Sequence, residues 1–222
     1  MQSKSKDKTP GPSRRERQRK ERRQAILQAA ENLFAEQGYR KTRIEDIAGK
    51  ADVSVGTVYG YFKNKEDLLM SVLEDIGMFV RRLVGSEFRK AATTLEGIRL
   101  AGMAFFEVLC VHHNEKLALF YDERIGNSEQ FQRARKVWSI QMIEDVKGAI
   151  LVVQEASGME FRSSMSAEIM GVCTVGIFDR LGYFYQLSQI DPETLKTVGE
   201  ETVAFVVGGI QSLITREGGK LG

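Results

Sequence analysis

Between Thr42 and Phe62 the chain sets two short apolar stripes on either side of Asp52-Val53-Ser54, which admits two short helices and a tight turn between them. Thr42 and Glu45 form a Thr-x-x-Glu pattern, predicting a capping box at the first helix. Ile44, Ile47 and Ala48 then recur at i, i+3, i+4, so one side of that helix is apolar. Val53 is placed to plug the core, and Ser54 to cap the second helix, where Val58 and Phe62 share an inward face. Thr57, Tyr59 and Gly60 are left outward or on the flanks.

Charge is concentrated next to this stretch. The net charge of +2 hides an asymmetry: residues 1–67 hold 16 Lys/Arg against 10 Asp/Glu, and the remainder holds 16 against 20. Residues 1–23 alone hold 10 basic side chains and 3 acidic ones, which points to a polyanionic partner at that end or to a solvated charge run. No apolar run follows the basic N-terminus as a secretory signal requires, and no stretch approaches the roughly 18 apolar residues of a membrane span. Cys110 and Cys173 both sit in apolar helical stretches, so reduced, buried thiols are expected. These features together predict a soluble cytoplasmic protein.

The rest of the chain carries helical spacing and no strand pattern. Residues 1–13 read as a disordered basic arm, 14–67 as a small helix-turn-helix domain and 68–222 as a larger helical domain. Helices are expected near 14–37, 65 onward, 94–112, 115–124, 128–155, 164–188 and 192–216, about nine in all with the central pair. Ser13, Asn64, Thr93 and Asp191 serve as N-caps, and Gly126-Asn127 and Ser157-Gly158 as breaks. The fold class is all-α.

The stretch Gly38-Tyr39, Thr42, Ile47-Ala48, Ala51, Val53-Ser54, Gly56-Thr57-Val58-Tyr59, Tyr61-Phe62, Asn64-Lys65-Glu66 and Leu68 resembles the DNA-binding domain of the TetR family of transcriptional regulators. Asp52 departs from the glycine usual in that turn, and Asp tolerates the left-handed conformation better than most residues. The resemblance implies a homodimer that sets one recognition helix per subunit into successive major grooves of an operator, with half-sites roughly 34 Å apart. It implies that Thr42, Tyr59, Tyr61 and Lys65 hold phosphates, with Ser54 and Thr57 near bases or backbone. The family's base-reading positions hold Val55, Gly56 and Gly60, none with a polar side chain. Direct readout is therefore expected from Arg43, Lys50 and Thr57, aided by DNA shape and the basic arm.

In this family the larger domain binds a small molecule and changes the spacing of the DNA-reading heads. Met103, Phe106, Phe120, Trp138, Met142 and Phe178 are candidate walls of an apolar pocket, although such residues at helical spacing serve equally as plain core. Leu109 and Phe184 belong to the same set. Asp179-Arg180, inside the apolar stripe of 164–188, either faces a partner subunit or caps the pocket. His112 and His113 are adjacent and diverge by about 100° on a helix, so they do not share a metal. The family places its last two helices in an intersubunit four-helix bundle, here with Gly176, Val203, Val206, Val207, Ile210 and Ile214 at the seam.

No nucleophile–base pair, metal-ligand spacing or phosphate-cradling glycine loop appears, which argues against an enzyme and against a resident cofactor. The expected function is a homodimeric DNA-binding repressor relieved by an apolar or amphipathic effector. The competing reading is a ligand-independent DNA-binding dimer whose second domain only dimerises.

Overall fold

The computed structural model describes residues 13–91, 93–122, 129–157, 160–188 and 190–215. Most of the basic arm and the breaks at Gly126-Asn127 and Gly158 therefore lie outside the described residues. Among the described residues, nine α-helices, one π-helical segment and two short strands fall into two compact units that divide between Val72 and Leu73.

The first unit contains α1 (Arg14–Gln37), α2 (Ile44–Lys50), α3 (Val55–Tyr61) and the start of α4 (Lys65–Phe88). Ser13 caps α1 through a reciprocal box, its Oγ accepting from the Glu16 N–H while the Glu16 carboxylate accepts from the Ser13 N–H. Ile26, Ala30 and Phe34 of α1 are buried with Ile44, Ile47 and Ala48 of α2, Val58 of α3, Phe62 and Leu68. The two apolar stripes thus meet as their spacing predicts.

The α2 cap differs from the sequence expectation. Arg43, not Thr42, is the N-cap residue, and its N–H donates to the Asp46 carboxylate at 3.2 Å. Thr42 is turned inward instead and donates its hydroxyl to the Gly38 carbonyl at 2.9 Å. A hydroxyl that can satisfy orphan carbonyls at the end of α1 serves the fold better than one shared with water.

The turn between α2 and α3 closes α2 as a Schellman motif: Val53 N–H donates to Ala48 O at 3.0 Å, and Asp52 N–H to Gly49 O at 3.2 Å. That pattern needs a left-handed residue at Asp52, whose φ is 53°. An L-residue there is strained, and Asp less than most. Asp52→Gly is expected to raise stability by about 0.5–1 kcal/mol, and Asp52→Val to lower it by about 1–2 kcal/mol. Urea denaturation of the two variants checks the pair, and equal midpoints would contradict the strain assignment.

The second unit holds the remainder of α4, then α5 (Thr94–Ala104), a π-helical segment (Phe105–His112), α6 (Asn114–Phe120), α7 (Glu129–Ser157), α8 (Ser166–Ser188) and α9 (Pro192–Ser212). The single helix expected over 94–112 widens into a π-helix at Phe105. Adjacent rings of Phe105 and Phe106 then both reach Phe178, at 5.5 and 5.6 Å. Propensity does not encode such a widening, because packing of several rings decides it. Strands β1 (Glu160–Phe161) and β2 (Ile214–Thr215) pair antiparallel, with Phe161 opposite Ile214. Two residues are too few to show alternation in sequence, so this ladder was not legible there.

α7 packs on α8, and α9 packs on α5 and the π-helical segment. Gly102 makes the α5–α9 approach possible: a Cβ there would lie 2.7 Å from the Phe178 ring and 2.8 Å from Val203. Val203, Val206 and Ile210 are consequently buried within their own protomer, and Val207 is half-buried. Val203 thus packs inside its own protomer, whereas Ile210, though buried, lines the floor of a groove beside Phe205. The exposed stripe of α9 lies on its other side, at Ala204, Phe205, Gly208 and Gly209. α9 is apolar on two faces, and periodicity alone does not say which one the protomer covers.

Candidate functional site

In the first unit, Ser54 N-caps α3, its Oγ accepting from the Thr57 N–H at 3.1 Å and lying 2.8 Å from the Thr57 hydroxyl. Gly56, Tyr59 and Gly60 form the exposed side of α3, with Val55, Thr57 and Tyr61 half-buried beside them. A Cβ at Gly60 would meet nothing within 4 Å, and one at Gly56 only the Ser54 Oγ at 3.8 Å. The fold does not require either glycine, and each lowers helix stability by up to about 1 kcal/mol.

The cationic and hydroxyl groups singled out from sequence divide into two sets. Arg43 is exposed and has no ion-pair partner among the described residues. Arg14 to Arg23 line the exposed first turns of α1, with Arg23 resting 5.3 Å over the Phe62 ring. Thr42, Lys50 and Lys65 are otherwise committed. Thr42 is 1% exposed. Lys50 pairs with Glu36 of α1 at 3.0 Å. Lys65 donates to the carbonyls of Tyr39 and Thr42 at 2.9 and 3.0 Å and sits 4.5 Å over the Tyr39 ring. Burial pushes its ammonium below the usual lysine value. Lys65 thus clamps the α1–α2 corner, and its place at a helix start, read as a phosphate contact from sequence, has an internal use. Arg40, Lys41 and Lys63 are exposed cations of the same unit that the motif positions did not single out.

The second unit holds a half-open cavity of about 560 Å³ between α4, α5, α7 and α8. Trp138, Met142 and Phe178 line it, together with Met78, Phe88 and Phe105. Met103, Phe106 and Phe120 do not. Phe106 packs inward, where a Cβ on Gly199 would lie 3.0 Å from it, and Phe120 stacks behind Trp138 at 4.8 Å. The Leu109 side chain lies outside the described set, and Phe184 is 55% exposed. Trp138 fits against α4 because Gly77 has no side chain: a Cβ there would lie 2.5 Å from the indole. The indole Nε1 is buried without a hydrogen-bond partner among the described residues.

Polar groups enter this cavity from α4, α7 and α8. Arg81 forms a two-point pair with Asp145, at 2.6 and 3.0 Å. Arg82 and Arg89 also line the wall, are exposed, and have no ion-pair partner among the described residues. Asp179 lines it from α8 and accepts a hydrogen bond from the Tyr121 hydroxyl at 2.9 Å. Burial first, and the Asp179 charge second, push the Tyr121 phenol well above its ordinary value, so it stays a donor. Arg180, by contrast, is exposed and lies over the Tyr183 ring. These arginines escaped the sequence reading because charges on an amphipathic helix resemble a solvated face. The available signal was the mixed stripe Met78, Arg82, Gly85, Arg89 at i, i+4, i+7, i+11.

Cys110 is largely buried, which pushes its thiol up to about 12, whereas Cys173 is exposed on α8. The expectation of two buried thiols therefore holds for the first only. No helix among the described residues is long and apolar enough to cross a membrane.

Residues 26–72 match the family described as bacterial regulatory proteins, tetR family. The fatty acid metabolism regulator protein of Bacillus subtilis is 34% identical over 113 residues, covering 50% of this chain and 58% of that protein. The HTH-type transcriptional repressor KstR2 of Mycolicibacterium smegmatis is 30% identical over 201 residues, covering 85% of this chain and 90% of that protein. The chain thus spans little more than half of the first relative and nine-tenths of the second. Among solved structures, FadR from Bacillus subtilis in complex with stearoyl-CoA superposes with a TM-score of 0.69 at 22% identity, over 84% of this chain and 98% of that one. The ketosteroid transcriptional regulator KstR2 of Mycobacterium tuberculosis gives 0.56 at 24% identity, over 88% and 95%.

Proposed function

From the premise that this chain belongs to the TetR family of bacterial regulatory proteins, we propose that it is a homodimeric repressor whose hold on its operator is relieved by an amphipathic small molecule. The observation that carries the effector half of this reading is the cavity of the second unit, with apolar walls and two arginines, Arg82 and Arg89, that have no ion-pair partner among the described residues. An apolar body fills the walls, and an anionic group answers the guanidiniums. The solved relative that holds stearoyl-CoA and the ketosteroid transcriptional regulator support a ligand with a large apolar body.

The DNA half rests on α3. Tyr59 and the backbone at Gly56 and Gly60 enter the major groove, Arg43 and Thr57 add polar contacts, and the α1 arginines hold phosphates. Two copies join through the outward faces of α8 and α9. Ile169, Val172 and Phe205 are exposed there at 44%, 46% and 73%, and a Cβ on Gly176, Gly208 or Gly209 would meet nothing within 4 Å. Apolar side chains interspersed with bare backbone suit close helix–helix approach across a two-fold axis.

Selection of bound sequences from random duplex DNA supplies the operator. Affinity for it should then fall with salt at a log–log slope of about −0.9 per phosphate contacted. Stearoyl-CoA, added to the complex, is expected to release the DNA, whereas coenzyme A alone is not. If operator affinity stays unchanged at concentrations that saturate the cavity, the dimer works without an effector.

A further inference from the structure

We infer that Asp179 recognises a hydroxyl at the end of the effector remote from its anionic group, so that the cavity selects a molecule polar at both ends. This rests on the effector reading above and adds to it a second anchor. The register of the helices separates the two ends. Gly77 meets Trp138 and Arg81 meets Asp145, so α4 and α7 advance together past the cavity. Arg89 follows the last residue of α4, two turns and about 12 Å of helix rise beyond Arg81. Asp179 lies the other way: Arg135, on the turn of α7 before Trp138, is its ionic neighbour at 4.0 Å. Arg89 and Asp179 therefore lie toward opposite ends of the cavity, with Arg82 on the wall between them.

The surroundings of Asp179 specify the complementary group. Its Oδ1 accepts one hydrogen bond, from Tyr121, and a carboxylate offers about four acceptor sites, so capacity remains. A second anion is excluded by repulsion, which also orients the ligand with its acid toward Arg82 and Arg89. An ammonium is poorly suited, because Arg135 already supplies positive charge beside the carboxylate and desolvating a further cation in apolar walls is unfavourable. The Arg135 guanidinium does not swing in to chelate Asp179; it lies over the Phe120 and Tyr121 rings at 5.7 and 5.4 Å. A neutral O–H donor is what remains.

Three ligands matched in length separate the possibilities: ω-hydroxyhexadecanoate, hexadecanoate and hexadecanedioate. Binding is followed at Trp138, the single tryptophan, and by calorimetry, with operator release as a parallel readout. The hydroxy acid should bind about tenfold more tightly than the plain acid, with the diacid weakest. In Asp179→Asn, whose amide oxygen still accepts from Tyr121, the diacid should gain about tenfold and the hydroxyl preference should shrink to within threefold. The Arg82→Ala/Arg89→Ala variant should weaken all three while keeping their ratios, because Asp179 is untouched. Circular dichroism of each variant verifies the fold. Equal binding of all three ligands, with the operator still released, overturns the role of Asp179 and leaves the effector reading standing. If none binds or releases DNA, both fall for this class of anion.

Discussion

On the proposed dimer, Phe205→Arg is expected to give a monomer that binds its operator about 10²–10⁴-fold more weakly. The ring is 73% exposed in the protomer and borders a groove formed by Ile169, Cys173 and Gly209, so its loss costs the isolated chain almost nothing. Between two copies it would bury most of its surface, a contribution of roughly 1.5–3 kcal/mol per ring and twice that across a two-fold axis. Arginine at that position brings two like charges into one apolar seam, where their desolvation is uncompensated. The loss of DNA affinity follows from connectivity and not from any lost DNA contact. In a dimer, once one recognition helix docked, the second would meet its half-site at the effective concentration the dimer sets, and a monomer would forfeit that gain. Sedimentation analysis together with titration of operator and of a single half-site checks both parts. A dimer of unchanged stability, or unchanged operator affinity, removes α8–α9 as the joining surface.

Gly60→Glu is expected to leave the first unit folded and to abolish useful operator binding, with a loss of about 10²–10³-fold. A side chain at residue 60 meets no neighbouring atom within 4 Å, and glutamate is the better helix former by roughly 0.5–1 kcal/mol, so thermal stability holds or rises. The same carboxylate would stand in a groove walled by phosphates. Gly60→Ala isolates the steric part: stability should rise by up to about 1 kcal/mol while affinity falls by about tenfold. Opposite signs in the two measurements are the signature of a residue kept for its partner. If Gly60→Ala binds the operator as well as the unaltered chain, the backbone at that point does not approach DNA closely.

Much of the first unit was legible because its information is local. Ser13 with Glu16, Ser54 with Thr57, and Asn64 with Asp67 are caps whose partners sit three residues away, and all three form. Ile44, Ile47, Ala48, Val58 and Phe62 face inward because helical periodicity leaves them no other shared side. Asp52 takes a left-handed backbone at the one position where the turn demands it. The Thr42 pattern shows the limit of this local reading. Thr42 had two ways to satisfy its hydroxyl, at the start of α2 or at the end of α1, and only the packing of α1 against α2 chose the second.

In the second unit the sequence determined that the segments are helices and where most of them begin. It did not determine which of two apolar faces each helix turns inward. α9 carries Val203, Val206 and Ile210 on one side and Phe205 on another, and the covered side is set where the missing side chain of Gly102 leaves room for Val203. In the same way, the charges of Arg82, Arg89 and Asp179 come from three turns of two helices far apart in the chain. They become one cavity only when α4 and α8 are brought against the same side of α7. Caps and stripes depend on neighbours within a turn or two and can be read in one dimension. The choice of covered face, and the meeting of distant charges, depend on which helices become neighbours, and that is decided by side-chain packing in three.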